Sequence, residues 1–326
     1  MTKDKVLAIL VKNNNYVSGE EISRSIGVSR AAVNTAVKSL KASGYEISSV
    51  TNRGYKLISA PDILSSGSVG ALLDEDRMER VIVLGSTDST NKYLRQLAYD
   101  GAPDGQVVIA DEQTAGRGRM GRNFFSPKGK GIYFSYMLKP DHAPQDAVTL
   151  TAWTAVAMVR AIEKTSGFRP GIKWVNDLVS GGRKLCGILT EMSIESETGR
   201  IDSIIIGIGI NINNEETDFP EDLREIASSI AVLSGHQVSR SALAASMIRE
   251  LDKMRADWPD KKEEYLRAYR EYDITSGRNV TVISGGKNRD AQAIMINEDF
   301  SLKVRFPDGS TEDLSSGEVS LKLSNQ

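Results

Sequence analysis

Apolar positions along this chain fall into three successive rhythms. In the first sixty residues they recur at helical spacing. Val6, Leu7, Ile9 and Leu10 mark one helix, Ile22 and Ile26 a second, and Ala32/Val33, Ala36/Val37 and Leu40 a third. Turn and cap signals separate them. The first helix ends in three asparagines at 13–15, Ser18-Gly-Glu-Glu21 has the form of a capping box, and Gly27 stops the second helix. Ser29 caps the third helix, residues 30–43, and Gly44 ends it. Residues 45–57 then alternate and break at Asn52-Arg53-Gly54, which predicts a β-hairpin. Short helix, tight turn, longer helix and hairpin together predict a winged helix-turn-helix over residues 1–62. Ala60-Pro61-Asp62 closes it, and Ser65-Ser66-Gly67-Ser68 reads as the edge of a linker.

The second rhythm mixes buried strands with long helices. Strands are expected at 81–84, 106–111, 131–138, 172–178, 184–191 and 201–211. Helices are expected from residue 90 and at 148–162, 222–234, 239–257 and 262–272. This predicts a central α+β domain over 66–272. The third rhythm is a series of short strands with Gly/Asn/Asp turns, at 279–283, 291–296, 302–306, 311–314 and 319–323. Five such strands in so short a span predict an SH3-like β-barrel over 273–326. The expected fold is α+β and multidomain.

Composition narrows the class. Of the 326 residues, 40% are hydrophobic and 26% charged, as in an ordinary soluble globular protein. No apolar run is long enough to span a membrane, and the N-terminus lacks the apolar core of a signal peptide. One cysteine, Cys186, excludes an internal disulfide and fits the cytoplasm. With only His142 and His236 beside it, a His/Cys metal site is not expected; both histidines read as surface-loop residues, and Cys186 and Trp153 read as core. The net charge of −2 is unevenly spread: residues 1–60 carry nine Lys/Arg against four acids. A basic head on a mildly acidic body suits nucleic acid. The exposed side of the third helix bears Ser29, Arg30, Asn34 and Lys38, and the hairpin tip bears Arg53, as DNA-contacting residues would be. A small module that packs on the body and binds nothing is the plainer alternative.

The densest candidate chemistry is 111–130, D-E-Q-T-A-G-R-G-R-M-G-R-N-F-F-S-P-K-G-K. Arg117, Arg119 and Arg122 are interleaved with Gly116, Gly118 and Gly121, and no acid falls between Arg117 and Lys130. Glycine lets backbone approach a ligand, and arginine forks suit carboxylate and phosphate oxygens. The loop suits closure over a phosphate-bearing anion; a solvated basic loop, or one touching nucleic-acid backbone, also fits. It is not a Walker A loop. Residues 85–91 open a helix with hydroxyls and an amide that either cap it or hold a small polar ligand. Asn176 and Asp177 sit at a strand end, with Lys184 facing Asp177 across a hairpin. Gly207 and Gly209 leave a flat strand surface against which a ligand could lie.

Three stretches, S-T-N at 89–91, G-R-G-R-M-G-R at 116–122, and K-W-V-N-D-L (173–178) followed by R-K-L-C-G-I-L (183–189), resemble biotin–protein ligases in order and spacing. With the winged head, the whole chain resembles the bifunctional form that is also the biotin operon repressor. The resemblance implies a class II synthetase-like catalytic domain that forms biotinyl-5′-AMP from biotin and ATP with Mg²⁺. Biotin then passes to a lysine of a biotin carboxyl carrier domain. It implies a biotin site at Ser89, Thr90, Asn91, Gln113, Arg117, Gly118, Arg119 and Lys184, and an ATP site at Arg119, Arg122, Phe124, Asn176, Lys184 and Asn211. Arg119, Lys184 and Asp177 would be catalytic. Val175 stands where the family often has proline, and Phe124 where many members have tryptophan. Operator DNA, and a homodimer promoted by the adenylate, would be the regulatory partners. A lipoate–protein ligase, a ligand-sensing repressor without ligase activity and a ligase with a vestigial head are the alternatives.

Overall fold

The computed structural model describes residues 2–141, 144, 146–195, 197–284 and 287–321. In the head, α1 (Thr2–Lys12), α2 (Gly19–Ile26) and α3 (Arg30–Ala42) enclose a core of their own that includes Leu7, Leu10, Ile22, Val33, Val37 and Leu40. The caps act as their residue types suggest. Ser18 Oγ accepts from the Glu21 N–H at 3.0 Å, and Gly27, at φ 69°, returns its N–H to Ser23 O. The wing is β1 (Glu46–Val50) paired antiparallel with β2 (Gly54–Ser59), and Lys41 Nζ donates to Ser49 Oγ to tie it to α3.

The expected linker edge at 65–68 is instead the start of a helix, α4 (Ser66–Gly70). Its serines are used as caps: the Ser68 N–H donates to Ser65 Oγ and the Ser65 N–H to Ser68 Oγ. Gly67 rests on α1, where an added Cβ would lie 2.8 Å from Asp4 Cα. A composition that reads as flexible thus serves close docking of head on body.

After α5 (Glu75–Met78) comes a seven-stranded sheet. Its strands and flanking helices run β3 (Val81–Leu84), α6 (Thr90–Tyr99), β4 (Val107–Ala110), β5 (Gly131–Leu138), α7 (Leu150–Ser166), β6 (Gly171–Lys173), β7 (Asp177–Ser180), β8 (Arg183–Ile194) and β9 (Ile201–Asn211). The order is β3-β4-β5-β9-β8-β7-β6, and all pairs except β3–β4 are antiparallel. Strand alternation sends Val107 and Ile109 to one face and Val108 to the other, where it meets Leu94 and Ala98 of α6. The first face is covered by α7 and, beyond α8 (Ile230–Ser234), by α9 (Arg240–Asp257) and α10 (Lys262–Tyr272). Trp153 is core, as expected, and stacks on Tyr265 with ring centroids 4.0 Å apart.

Two expected elements are redrawn by tertiary contacts. The strand at 172–178 is broken between β6 and β7, because Asn176 leaves the ladder: its backbone carbonyl accepts from the Ile188 N–H, and its Nδ2 donates to Ile188 O. The helix at 222–234 shrinks to a 3₁₀ turn (Glu221–Leu223) and α8. The spacing of Leu223, Ile226, Ala227 and Ile230 imitates a helix, but the chain is captured by β8: the Lys184 N–H donates to Ile226 O and the Ser228 N–H to Lys184 O.

The C-terminal module is β10 (Asn279–Ser284), β11 (Lys287–Ile296), β12 (Leu302–Arg305), β13 (Thr311–Leu314) and β14 (Glu318–Leu321), antiparallel in the order β13-β12-β11-β10-β14. The expected last strand reached Leu323, which, like His142, lies outside the described residues. Its apolar side is continuous with the central core, and Trp174 Nε1 donates to Phe300 O at 2.9 Å. Among the described residues no helix is long and apolar enough to cross a membrane.

Candidate active site

The N-terminus of α6, the arginine loop and the β8/β9 face of the sheet surround a cleft. Ser89, Thr90, Asn91, Gln113, Arg117, Gly118, Arg119, Phe124, Asn176 and Lys184 all line it. These positions were singled out from four separate stretches, and the fold brings them together. Arg122, Asp177 and Asn211 are not in the lining. Arg122 turns outward to Glu318 at 2.8 Å, which raises its pKa; Asn211 is buried at the end of β9 opposite Gly131.

One end of the cleft is a closed hydrogen-bond network. Gln113 Oε1 accepts from the Thr90 N–H at 2.9 Å, while its Nε2 donates to Ser126 Oγ. Ser135, fully buried on β5, places Oγ 2.5 Å from Asn91 Oδ1 and 2.8 Å from Thr90 Oγ1. Asn91 Nδ2 donates to Glu191 Oε2 at 2.7 Å, and Arg95 pairs with the other oxygen of Glu191 at 2.8 Å. With both ends of its amide assigned, Asn91 has one N–H left to offer a ligand carbonyl. The sequence reading missed Ser135, Glu191 and Arg95. Ser135 on β5 and Glu191 on β8 flank β9 and put polar groups on an otherwise apolar sheet face, and Arg95 stands four residues after Asn91 on α6.

The other end is cationic. Arg119 Nη1 donates to Asn176 Oδ1 at 2.9 Å. Lys184 Nζ sits 2.7 Å from Asp177 Oδ1, across the hairpin as expected, although the contact is an ion pair outside hydrogen-bond alignment. The flat glycine surface is not bare. Gly207 faces the Asn91 carboxamide, and Gly187 and Gly209 lie under the Phe124 ring, which also meets Tyr133 edge-on at 6.4 Å. A Cβ at Gly207 or Gly209 would collide with what now covers it. Cys186 is fully buried and its thiol is pushed up by desolvation, so it is a core residue and no nucleophile.

A profile of the biotin/lipoate A/B protein ligase family matches residues 83–211, and an HTH domain profile matches residues 2–56. The bifunctional ligase/repressor BirA of Bacillus subtilis is 38% identical over 259 residues, 79% of each chain. That of Escherichia coli K12 is 32% identical over 322 residues, 98% of this chain and 96% of its own. The chain belongs to this bifunctional ligase/repressor family. Among solved structures, the biotin protein ligase of Aquifex aeolicus in complex with biotin and ATP superposes with TM-score 0.62 at 26% identity. The match covers 75% of this chain and 99% of that one.

The head of this family member keeps its expected polar face. Arg30, Asn34 and Lys38 are exposed along α3, and Arg53 at the wing tip stacks over Tyr16, 4.6 Å from the ring centre. Ser29 Oγ already accepts from the Ala32 N–H as the helix cap, which leaves its hydroxyl proton for a phosphate. His236 is an exposed loop residue. Among the described residues no three His, Cys, Asp or Glu side chains cluster as a metal cage.

Proposed function

We propose that the protein joins biotin to ATP as biotinyl-5′-AMP and transfers the biotin to a lysine of a carrier-protein domain. With that adenylate bound, it represses transcription through its winged head. The observation that supports this best is the two-ended cleft: a buried, hydrogen-bonded polar pocket at one end, and Arg119 and Lys184 converging at the other. The polar end, at Ser89, Thr90, Asn91 and Gln113, takes the biotin head group. The cationic end brings together two anions that repel each other, the vitamin carboxylate and the ATP phosphates.

The carboxylate oxygen attacks the α-phosphorus and pyrophosphate leaves. Lys184 and Arg119 stabilise the charge that develops on the phosphoryl oxygens. Magnesium would be carried on the ATP phosphates and would offset their charge there. In the second half-reaction the carrier lysine attacks the acyl carbon, AMP leaves, and the amine gives up its proton. Asp177 holds Lys184 in place and is the carboxylate assigned here to accept that proton. Loop 116–122, with Arg117 and Gly118, closes over the adenylate and excludes water. Arg122, Phe124 and Asn211 complete the nucleotide side once the loop has closed.

The division of labour follows the boundaries 1–62 for DNA binding, 66–272 for catalysis and 273–326 as an accessory module, in a cytoplasmic protein. Ser29, Arg30, Asn34, Lys38 and Arg53 contact operator DNA, and the adenylate promotes a homodimer that places two heads on a two-fold site. ATP-dependent labelling of a carrier-domain lysine with biotin, with lipoate as the control acid, tests the reading. Arg119→Ala is expected to lower the rate by roughly 10²–10³. Equal labelling by lipoate would refute the choice of biotin. Sedimentation with and without biotin and ATP tests the dimer, and an unchanged monomer would remove it from the scheme.

A further inference from the structure

Away from the cleft, one buried guanidinium holds four segments of the chain together. Arg240, at the start of α9, is 2% exposed. Its backbone N–H and Nε donate to the two carboxylate oxygens of Asp62 at 2.9 and 2.8 Å, and Nη2 donates to the Asp62 carbonyl at 2.7 Å. Nη1 turns the other way, to Asp111 Oδ1 and to Gly131 O. Desolvation opposes the charge, but the bonds to Asp111 and Asp62 outweigh it, and the pKa is raised. Asp111 and Gly131 are the two stems of the arginine loop, and Asp111 Oδ1 also receives the Gly129 N–H. Asn213 closes the ring: its N–H donates to Lys130 O and its Nδ2 to Asp62 Oδ2. Asp62 is the last residue of the head's exit chain. Three residues on, the chain enters the Ser65/Ser68 caps and α4, against which α1 of the head is packed.

Removing an arginine from water is unfavourable unless every arm is satisfied, and here the arms divide between the head's exit chain at Asp62 and the loop stems at Asp111 and Gly131. The guanidinium is planar and its donors are spent on both partners at once, so a shift of the loop stems is transmitted to Asp62 unless one of these bonds breaks. We propose that Arg240 is the positioning residue through which closure of loop 116–122 on its ligand sets the placement of the DNA-binding head. The inference rests on the ligase reading of the cleft. It adds the route: loop stems to Asp111 and Gly131, to Arg240, to Asp62, to α4 and α1.

The test is hydrogen exchange on the full-length protein with and without biotin and magnesium ATP. In the wild type, both 116–122 and 60–70 gain protection on ligand addition. In Asp62→Asn the gain at 116–122 persists and the gain at 60–70 is lost. Arg240→Lys keeps the charge but loses the fork, and gives the same split; it carries the test if Asp62→Asn does not fold. A residue that merely stabilised the fold would raise exchange equally with and without ligand and leave the difference intact. Retention of the wild-type difference at 60–70 in the folded variant overturns the proposal. If 116–122 gains nothing in the wild type, the ligase reading itself fails. If it gains protection while 60–70 does not, only this inference fails.

Discussion

At the polar end of the cleft, proposed for the vitamin, the side chains hold one another in place and leave an Asn91 N–H to offer. Asn91, Thr90, Gln113, Ser126, Ser135 and Glu191 hold one another in a buried network. At the other end, proposed for the phosphates, Arg119 is held by an amide and Lys184 by one carboxylate, while Arg122 and Lys130 pair outside the cleft with Glu318 and Asp218. The first arrangement is rigid and prepaid, so a ligand with the right donors and acceptors loses little on entering. The second is exchangeable, since each cation must leave an internal partner to meet a phosphate. On the proposed function, recognition of the small neutral ring would be preorganised, whereas recognition of the charged nucleotide would be coupled to loop movement.

The largest effect expected from this contrast is at Lys184. Lys184→Met removes the amine that stabilises charge in the transition state, and pyrophosphate exchange should fall by roughly 10²–10³, about 3–4 kcal/mol. Next comes Asn91→Ala. It removes one of the two partners of Ser135 and of Glu191, and should cost about 1–3 kcal/mol in binding of the vitamin, read as a raised KM for biotin with little change in KM for ATP. A change confined to ATP would break the proposed division of the cleft. The exposed Arg122–Glu318 pair is worth far less. Glu318→Gln should move thermal stability by no more than about 1 kcal/mol, seen as a small shift in Tm.

Smallest is a pH effect at Asp218. Its hydrogen bond from Lys130, and then the Glu215 N–H, hold its pKa below the ordinary 3.8. A depressed carboxyl stabilises the fold above its unfolded value and loses that contribution as pH falls through the folded value. Exchange protection at 215–219, corrected for the intrinsic rate, should therefore drop only below about pH 3.8, and Lys130→Met should abolish the step.

Much of the architecture was legible because local signals agreed with the fold. In the head, Ser18, Gly27 and Ser29 mark helix ends by chemistry that needs no distant partner, and the tail's strands match their alternation. The candidate cleft was legible where unusual residue types cluster, as in the arginine loop and around Asp177 and Lys184. Ser135, Glu191 and Arg240 were not, because each looks ordinary in its own stretch. A serine in a strand, a glutamate in a strand and an arginine at a helix start become informative only when the sheet register or a long-range fold puts them beside their partners. The serine-glycine run at 65–68 misled for the same reason: its hydroxyls cap a helix, and its glycine is needed for contact with α1.

By itself the sequence determined where helices and strands form, which faces are apolar, and that cations and glycines concentrate in one loop, because those properties depend on spacing over a few residues. Tertiary structure alone decided that Asn176 leaves its strand for Ile188, that 224–228 lies beside Lys184 instead of coiling, and that one guanidinium joins Asp62 to Asp111. Those outcomes turn on hydrogen bonds between residues 12 to 178 positions apart, and no local pattern encodes which buried donor will find which acceptor.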